Sequence, residues 1–239
     1  MTTDTDTDTD TTADATTDAT TATDPESLRA LQKLADANPS VRLQAALALG
    51  TRPGPRFVVP LVERCAVEPE FFVREMLTWA LTRHSPAAVL PPLVEELRSP
   101  HAQARSQALH TLSKIGDPRA WPALTRAHLT DLDDEVARSA WRAAVVLVPE
   151  GEQAALAAVL ASQLGRGERL TRRSLSRALI TLGEVVLPSL RAAATATDPG
   201  VRQHALATER LLADPDAGFE FALDEAKRIM ALGTGGQEE

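Results

Sequence analysis

The stretch Asp198-Pro199-Gly200-Val201-Arg202-Gln203-His204-Ala205 decides the fold, because its pattern recurs along the chain. Near copies stand at Asn38-Pro39-Ser40-Val41-Arg42-Leu43-Gln44-Ala45 and at His101-Ala102-Gln103-Ala104-Arg105-Ser106-Gln107-Ala108. Val73-Arg74 and Thr171-Arg172 fall into the same register, and Val136 joins with its arginine displaced to Arg138. The register residues 41, 73, 104, 136, 171 and 201 are spaced by 32, 31, 32, 35 and 30 residues. A near-constant period of that size marks stacked supersecondary units.

Each unit follows one physical logic: a first helix, a short turn bearing Asp, Glu, Asn, Ser or Pro, and a second helix opening at the register residue. In the third unit Ala104, Ala108, Thr111, Leu112 and Ile115 fall on one face of a 3.6-residue helix, which must be the buried face. Gly116 ends that helix, and Asp117-Pro118 opens the next with Asp as N-cap and Pro in the first helical position. Prolines 39, 69, 100, 118, 149, 199 and 215 punctuate the turns, so helices of about 10 to 17 residues are expected. Asp214-Pro215 is read as opening a final capping helix to about Leu232, before Gly233, Gly235 and Gly236 let the chain fray.

Composition agrees with small-residue helix packing. The chain of 239 residues has three Trp, five Phe and no Tyr, so its core must be built from Ala, Leu and Val. Its single cysteine, Cys65, excludes an internal disulfide framework and reads as a small core residue. The N-terminus lacks the basic start and apolar stretch of a secretory signal, and the longest apolar run, Ala154 to Ala161, is far too short to span a membrane. A soluble, cytoplasmic protein is expected.

These residues resemble HEAT repeats, the helical-pair units of α-solenoids. The resemblance is carried by Asp198 to Ala205, Asn38 to Ala45 and the stretch Ile115-Gly116-Asp117-Pro118-Arg119-Ala120-Trp121-Pro122-Ala123-Leu124, and it covers residues 25–232. It implies an all-α fold, a right-handed α-solenoid of about six helical pairs plus a C-terminal capping helix. Residues 1–24 form a separate acidic tail, and residues 233–239 a flexible end. Glu68-Pro69-Glu70-Phe71-Phe72 and Gly165 to Leu170 depart from the pattern, so helix boundaries are open there.

Chemistry-bearing constellations are absent. The five histidines 84, 101, 110, 128 and 204 show no metal-ligand spacing, and none precedes Glu as in the HEAT-repeat hydroxylases that bind di-iron. No phosphate loop and no Gly-x-Ser-x-Gly elbow occurs. No metal, no cofactor and no catalytic residue is therefore expected. HEAT-like DNA glycosylases use Trp and Asp on a strongly basic surface, and Trp79, Trp121, Trp141 and Asp133-Asp134-Glu135 supply the residue types but no motif. Binding a phosphate backbone relies on a positive surplus that residues 25–239 lack, so nucleic acid is an unlikely partner. The HEAT-like lyases that attach bilin chromophores share only the repeat type.

The expected task is protein binding, as a scaffold or adaptor. In such an array the second helices line the concave surface, and offsets 2, 6 and 9 from the register residue point away from the core. Offset 2 reads Leu43, Glu75, Ser106, Arg138, Arg173 and Gln203, and offset 6 reads Leu47, Trp79, His110, Arg142, Arg177 and Ala207. Arg138, Arg142, Arg173 and Arg177, with His110, Trp79 and Trp141, thus form a candidate docking patch for an acidic or extended partner. Both tryptophans equally suit packing between helices. Arg42, Arg74, Arg105, Arg172 and Arg202, one residue after the register, are read as a structural ladder pairing with turn residues such as Glu68 and Asp198. The sequence leaves the oligomeric state open.

The net charge of −8 is unevenly placed. Residues 1–24 hold seven of the 33 acidic residues and no basic one, which leaves 26 acidic against 25 basic for the remainder. The Thr-Asp tail lacks the apolar side chains that ordering requires. Asp4, Asp6, Asp8 and Asp10 are spaced like a calcium loop, but Thr9 and Ala15 stand where Gly and Glu are needed. A further possibility is that the tail folds back on the groove arginines.

Overall fold

The computed structural model describes residues 25–214 and 218–233. The readings made for the tail, for Pro215 and for Gly235 and Gly236 lie outside them. The chain runs α1 (Pro25–Lys33), α2 (Pro39–Thr51), α3 (Val58–Val67), α4 (Phe71–Thr82), α5 (Pro86–Glu96), α6 (Ala102–Ile115) and α7 (Arg126–Leu129). It continues as α8 (Asp134–Leu147), α9 (Gln153–Ala161), α10 (Arg169–Thr181), α11 (Leu187–Ala193), α12 (Pro199–Ala213) and α13 (Phe219–Gly233). The described residues form helices, 3-10 turns and connecting loops with no strand, the all-α solenoid that the periodicity implied.

The even-numbered helices pack in succession from α2 to α12, and α13 closes on α12. The odd-numbered helices form a second layer, with α3 on α5, α7 on α9 and α9 on α11. Between the layers lies a core of Ala, Leu and Val, in which Ala46, Leu49, Leu77, Ala80, Leu109, Leu112, Ala140, Leu175 and Leu179 are shielded from solvent. Gly50 of α2 is small for a reason: a Cβ there would meet Trp79 Cζ3 at 2.5 Å and Ala80 Cα at 2.8 Å, so α2 and α4 could not approach.

Capping fixes where the second helices begin. The side chains of Asn38, Asp133 and Asp198 accept backbone N–H bonds at the starts of α2, α8 and α12. Gly116 ends α6 in the left-handed conformation at φ 68°, its N–H bonded to Leu112 O. Asp214 terminates α12 instead of opening α13, which is described from Phe219.

The largest departure follows Asp117. The cap forms, with Asp117 accepting from Arg119 N at 3.0 Å, but Pro118–Ala123 is a 3-10 turn and α7 has only four residues. Pro122 has no N–H to give to an i−4 bond, and the segment stays in the tighter 3-10 form around it rather than continuing as an α-helix. Helices α1, α9 and α11, at 9, 9 and 7 residues, are also shorter than expected.

Candidate functional site

The ladder arginines share one geometry. Arg42 donates through Nη1 to the carbonyls of Asp36 and Ala37, Arg74 to those of Glu68 and Pro69, Arg105 to Ser99 and Pro100, and Arg202 to Ala196 and Thr197. Each guanidinium closes the turn five and six residues before it, satisfying turn carbonyls that lie beyond the end of the preceding helix. Arg172 makes the shorter version, from Nε to Gly167 O. Two of them also reach the next turn: Arg42 binds Glu68, and Arg105 binds Asp131. Asp198 does not pair with Arg202, since its carboxylate is committed to the N–H groups of Gly200 and Val201.

Glu68 is a fully buried carboxylate held by Arg42, by Arg64 at 2.8 Å and by the N–H of Glu70. Burial alone would raise its pKa, yet these bonds, Arg42 foremost, hold it down at about 2. Arg138 is not the displaced ladder residue; its Nη1 donates to Glu135 at 3.0 Å. The missing function is supplied by Arg166, which the sequence reading overlooked. From the following turn it donates to Asp131 O and to Asp134 Oδ1.

The open face of α4, α6, α8 and α10 forms two adjoining cavities. The first, of about 670 Å³, is lined by Phe71, Arg74, Glu75, Gln103, His110, Asp133, Glu135, Arg138 and Arg142 among others. The second, of about 530 Å³, is lined by Lys114, Arg138, Arg142, Arg173 and Arg177, with Val145, Val146 and Leu170 as apolar wall. His110, Arg138 and Arg142 belong to both, so they sit where the two meet.

The charges differ between the halves. In the first cavity His110 Nε2 lies 3.2 Å from Glu75 Oε1 without hydrogen-bond alignment, and burial pushes the His110 pKa down against the pull of Glu75. Glu135 serves both Arg138 and Arg142, the latter at 4.0 Å. Burial likewise lowers the pKa of Arg142, partly offset by Glu135, and Arg142 Nη2 donates to Ser139. Among the described residues, no carboxylate lines the second cavity. Among the described residues Lys114, Arg173 and Arg177 are exposed and have no ion-pair partner.

The two tryptophans part company. Trp141 is fully buried, and its indole N–H donates to Leu129 O at 2.8 Å. It fills the hollow beside the four-residue α7 and cannot anchor a partner on the groove. Trp79 is 39% exposed, but it lies against Gly50 and lines neither cavity. The residues that do wall the second cavity, Lys114 and Leu170, stand ten after and one before a register residue. At 100° per residue they share a side with offsets 2 and 6, which is the signal that could have found them.

A two-layered array of short helices, with a turn-closing arginine at a period near 32 residues, defines a helical-repeat protein. The profile of the family described as HEAT repeats matches residues 3–82 and 73–145, and the chain belongs to that family. Such repeats typically mediate protein interactions. A crystal structure of an engineered protein is similar at 18% identity, covering 84% of this chain and 97% of that one, with a TM-score of 0.45. Comparison with curated proteins gives no match. No helix among the described residues is long and apolar enough to cross a membrane.

Proposed function

We propose that the chain is a protein-binding HEAT scaffold whose groove takes an extended acidic segment of a partner, seated against Arg138, Arg142, Arg173 and Arg177. The observation that carries this reading is the second cavity, where Arg173, Arg177 and Lys114 stand exposed with no counter-charge among the described residues. Like charges left together repel, and carboxylates on a partner relieve that repulsion while accepting from the planar guanidinium forks. Leu170, 66% exposed, and Val146, 51% exposed, give the same cavity apolar contact area. Non-catalytic docking is the task this arrangement suits.

An oligo-glutamate peptide serves as probe. Binding that disappears in Arg173→Glu with Arg177→Glu, at an unchanged thermal midpoint, supports the reading; unchanged affinity overturns it. Duplex DNA is the contrasting titrant. DNA binding that weakens steeply with salt would favour the nucleic-acid reading instead.

A further inference from the structure

We infer that the second cavity is also the docking site of this chain's own acidic segment, Asp4 to Asp10, which competes there with the partner. The competition rests on the groove reading above; the docking does not. Three features point to this occupant.

The first is charge. Five cations line the cavity, and Glu135, the carboxylate that serves Arg138 and Arg142, belongs to the first cavity's lining. Residues 1–24 carry seven aspartates and no basic side chain.

The second is spacing. Asp4, Asp6, Asp8 and Asp10 alternate with threonine, so an extended run would put its carboxylates on one side about 6.6 to 6.8 Å apart. Arg138 and Arg142 on α8, and Arg173 and Arg177 on α10, are each four residues apart, a rise of about 6 Å along their helices. The two rows flank the cavity, and a strand laid between them meets a guanidinium at nearly every aspartate.

The third is reach. Asp10 stands 15 residues before Pro25, a contour of about 50 Å when extended. From Pro25 on α1, five helix-to-helix steps lead through α2, α4, α6 and α8 to α10, and at about 8 to 10 Å each they come to about 40 to 50 Å. An extended linker of that contour is long enough to span this distance within one copy, and tethering would keep the segment's local concentration at the cavity high.

The test uses the full chain and a full-length variant carrying Asp4→Asn, Asp6→Asn, Asp8→Asn and Asp10→Asn. The Nε–H resonances of Arg173 and Arg177, assigned through Arg173→Lys and Arg177→Lys, report directly on the cavity. They should differ between the two chains at about 50 mM salt, converge at about 500 mM and keep their difference on dilution. Superimposable low-salt spectra overturn the inference, as does a difference that dilution removes, which would place the segment on another copy. The oligo-glutamate probe then reads the competition: the variant should bind it about tenfold more tightly. Equal affinity for both chains overturns competition. A probe that binds neither chain overturns the groove reading, while the arginine resonances still decide the docking.

Discussion

Arg42 of α2 and Glu68, in the turn before α4, form a buried two-point ion pair, with Nε to Oε2 at 2.8 Å and Nη2 to Oε1 at 2.6 Å. The pair joins positions 26 residues apart and fixes the spacing of two successive second helices. Removing one partner leaves the other charge buried, so Arg42→Leu should cost about 3 to 5 kcal/mol in chemical denaturation. Since the Glu68 pKa is held at about 2 against an ordinary 4.5, its stabilisation is complete above 4.5 and is lost as pH falls through 2. The Arg42→Leu chain should lose less stability across that window than the parent.

His204 titrates in a higher window. It accepts from Gly165 N through Nδ1, which leaves Nε2 to donate to Arg172 O at 3.1 Å and fixes a neutral ring. Burial is the main cause that brings its pKa from 6.5 to about 4. The unfolded chain binds the proton first, so stability is complete above 6.5 and falls as pH drops toward 4, by roughly 3 kcal/mol. Denaturation series at pH 7 and pH 4.5 should show a smaller pH dependence in His204→Gln than in the parent.

Trp141 separates packing from docking. Trp141→Ala empties a fully buried site and orphans Leu129 O, at a cost of about 3 to 5 kcal/mol. Under conditions where that variant remains folded, its affinity for the oligo-glutamate probe should match the parent. A lost affinity at retained helicity would return Trp141 to the groove.

Arg166 should behave as a ladder residue outside the ladder register. Its guanidinium reaches Asp134 at 2.8 Å and is 20% exposed. Arg166→Ala is expected to destabilise by about 1.5 to 3 kcal/mol, through charged hydrogen bonds lost from a half-buried turn. Arg172→Ala, which removes a single exposed bond to Gly167 O, should cost less in the same urea series.

The local rules were legible because they are written in adjacent residues. Asp198 beside Pro199 announces both a cap and a helix start, and Arg202 stands at the offset that reaches its own turn carbonyls. The periodic columns likewise brought Arg138, Arg142, Arg173 and Arg177 to one cavity. What escaped depends on contacts across the layers. Trp141 is buried against the four-residue α7, where its indole N–H meets Leu129 O twelve residues upstream, and no periodicity on α8 records that contact. Arg166 lies in an irregular turn where Gly165 and Gly167 adopt φ of 82° and 66°, so no helical register assigns its direction.

The polar links between successive turns are of unequal kind. Arg42 to Glu68, Arg105 to Asp131 and Arg166 to Asp134 are ionic, whereas α12 is tied to α10 through His204, which also touches Ser176 and faces the Phe219 ring of α13. Repeat arrays hold together mainly through neighbouring interfaces, so one junction can part while the others remain closed. The junction of α12 with α10, where Ser176 and Thr208 are the remaining polar tie, should therefore be the first to open in acid. Mild acid should shorten the folded rod by its last helices before it melts the rest, which makes the number of folded repeats itself a function of pH.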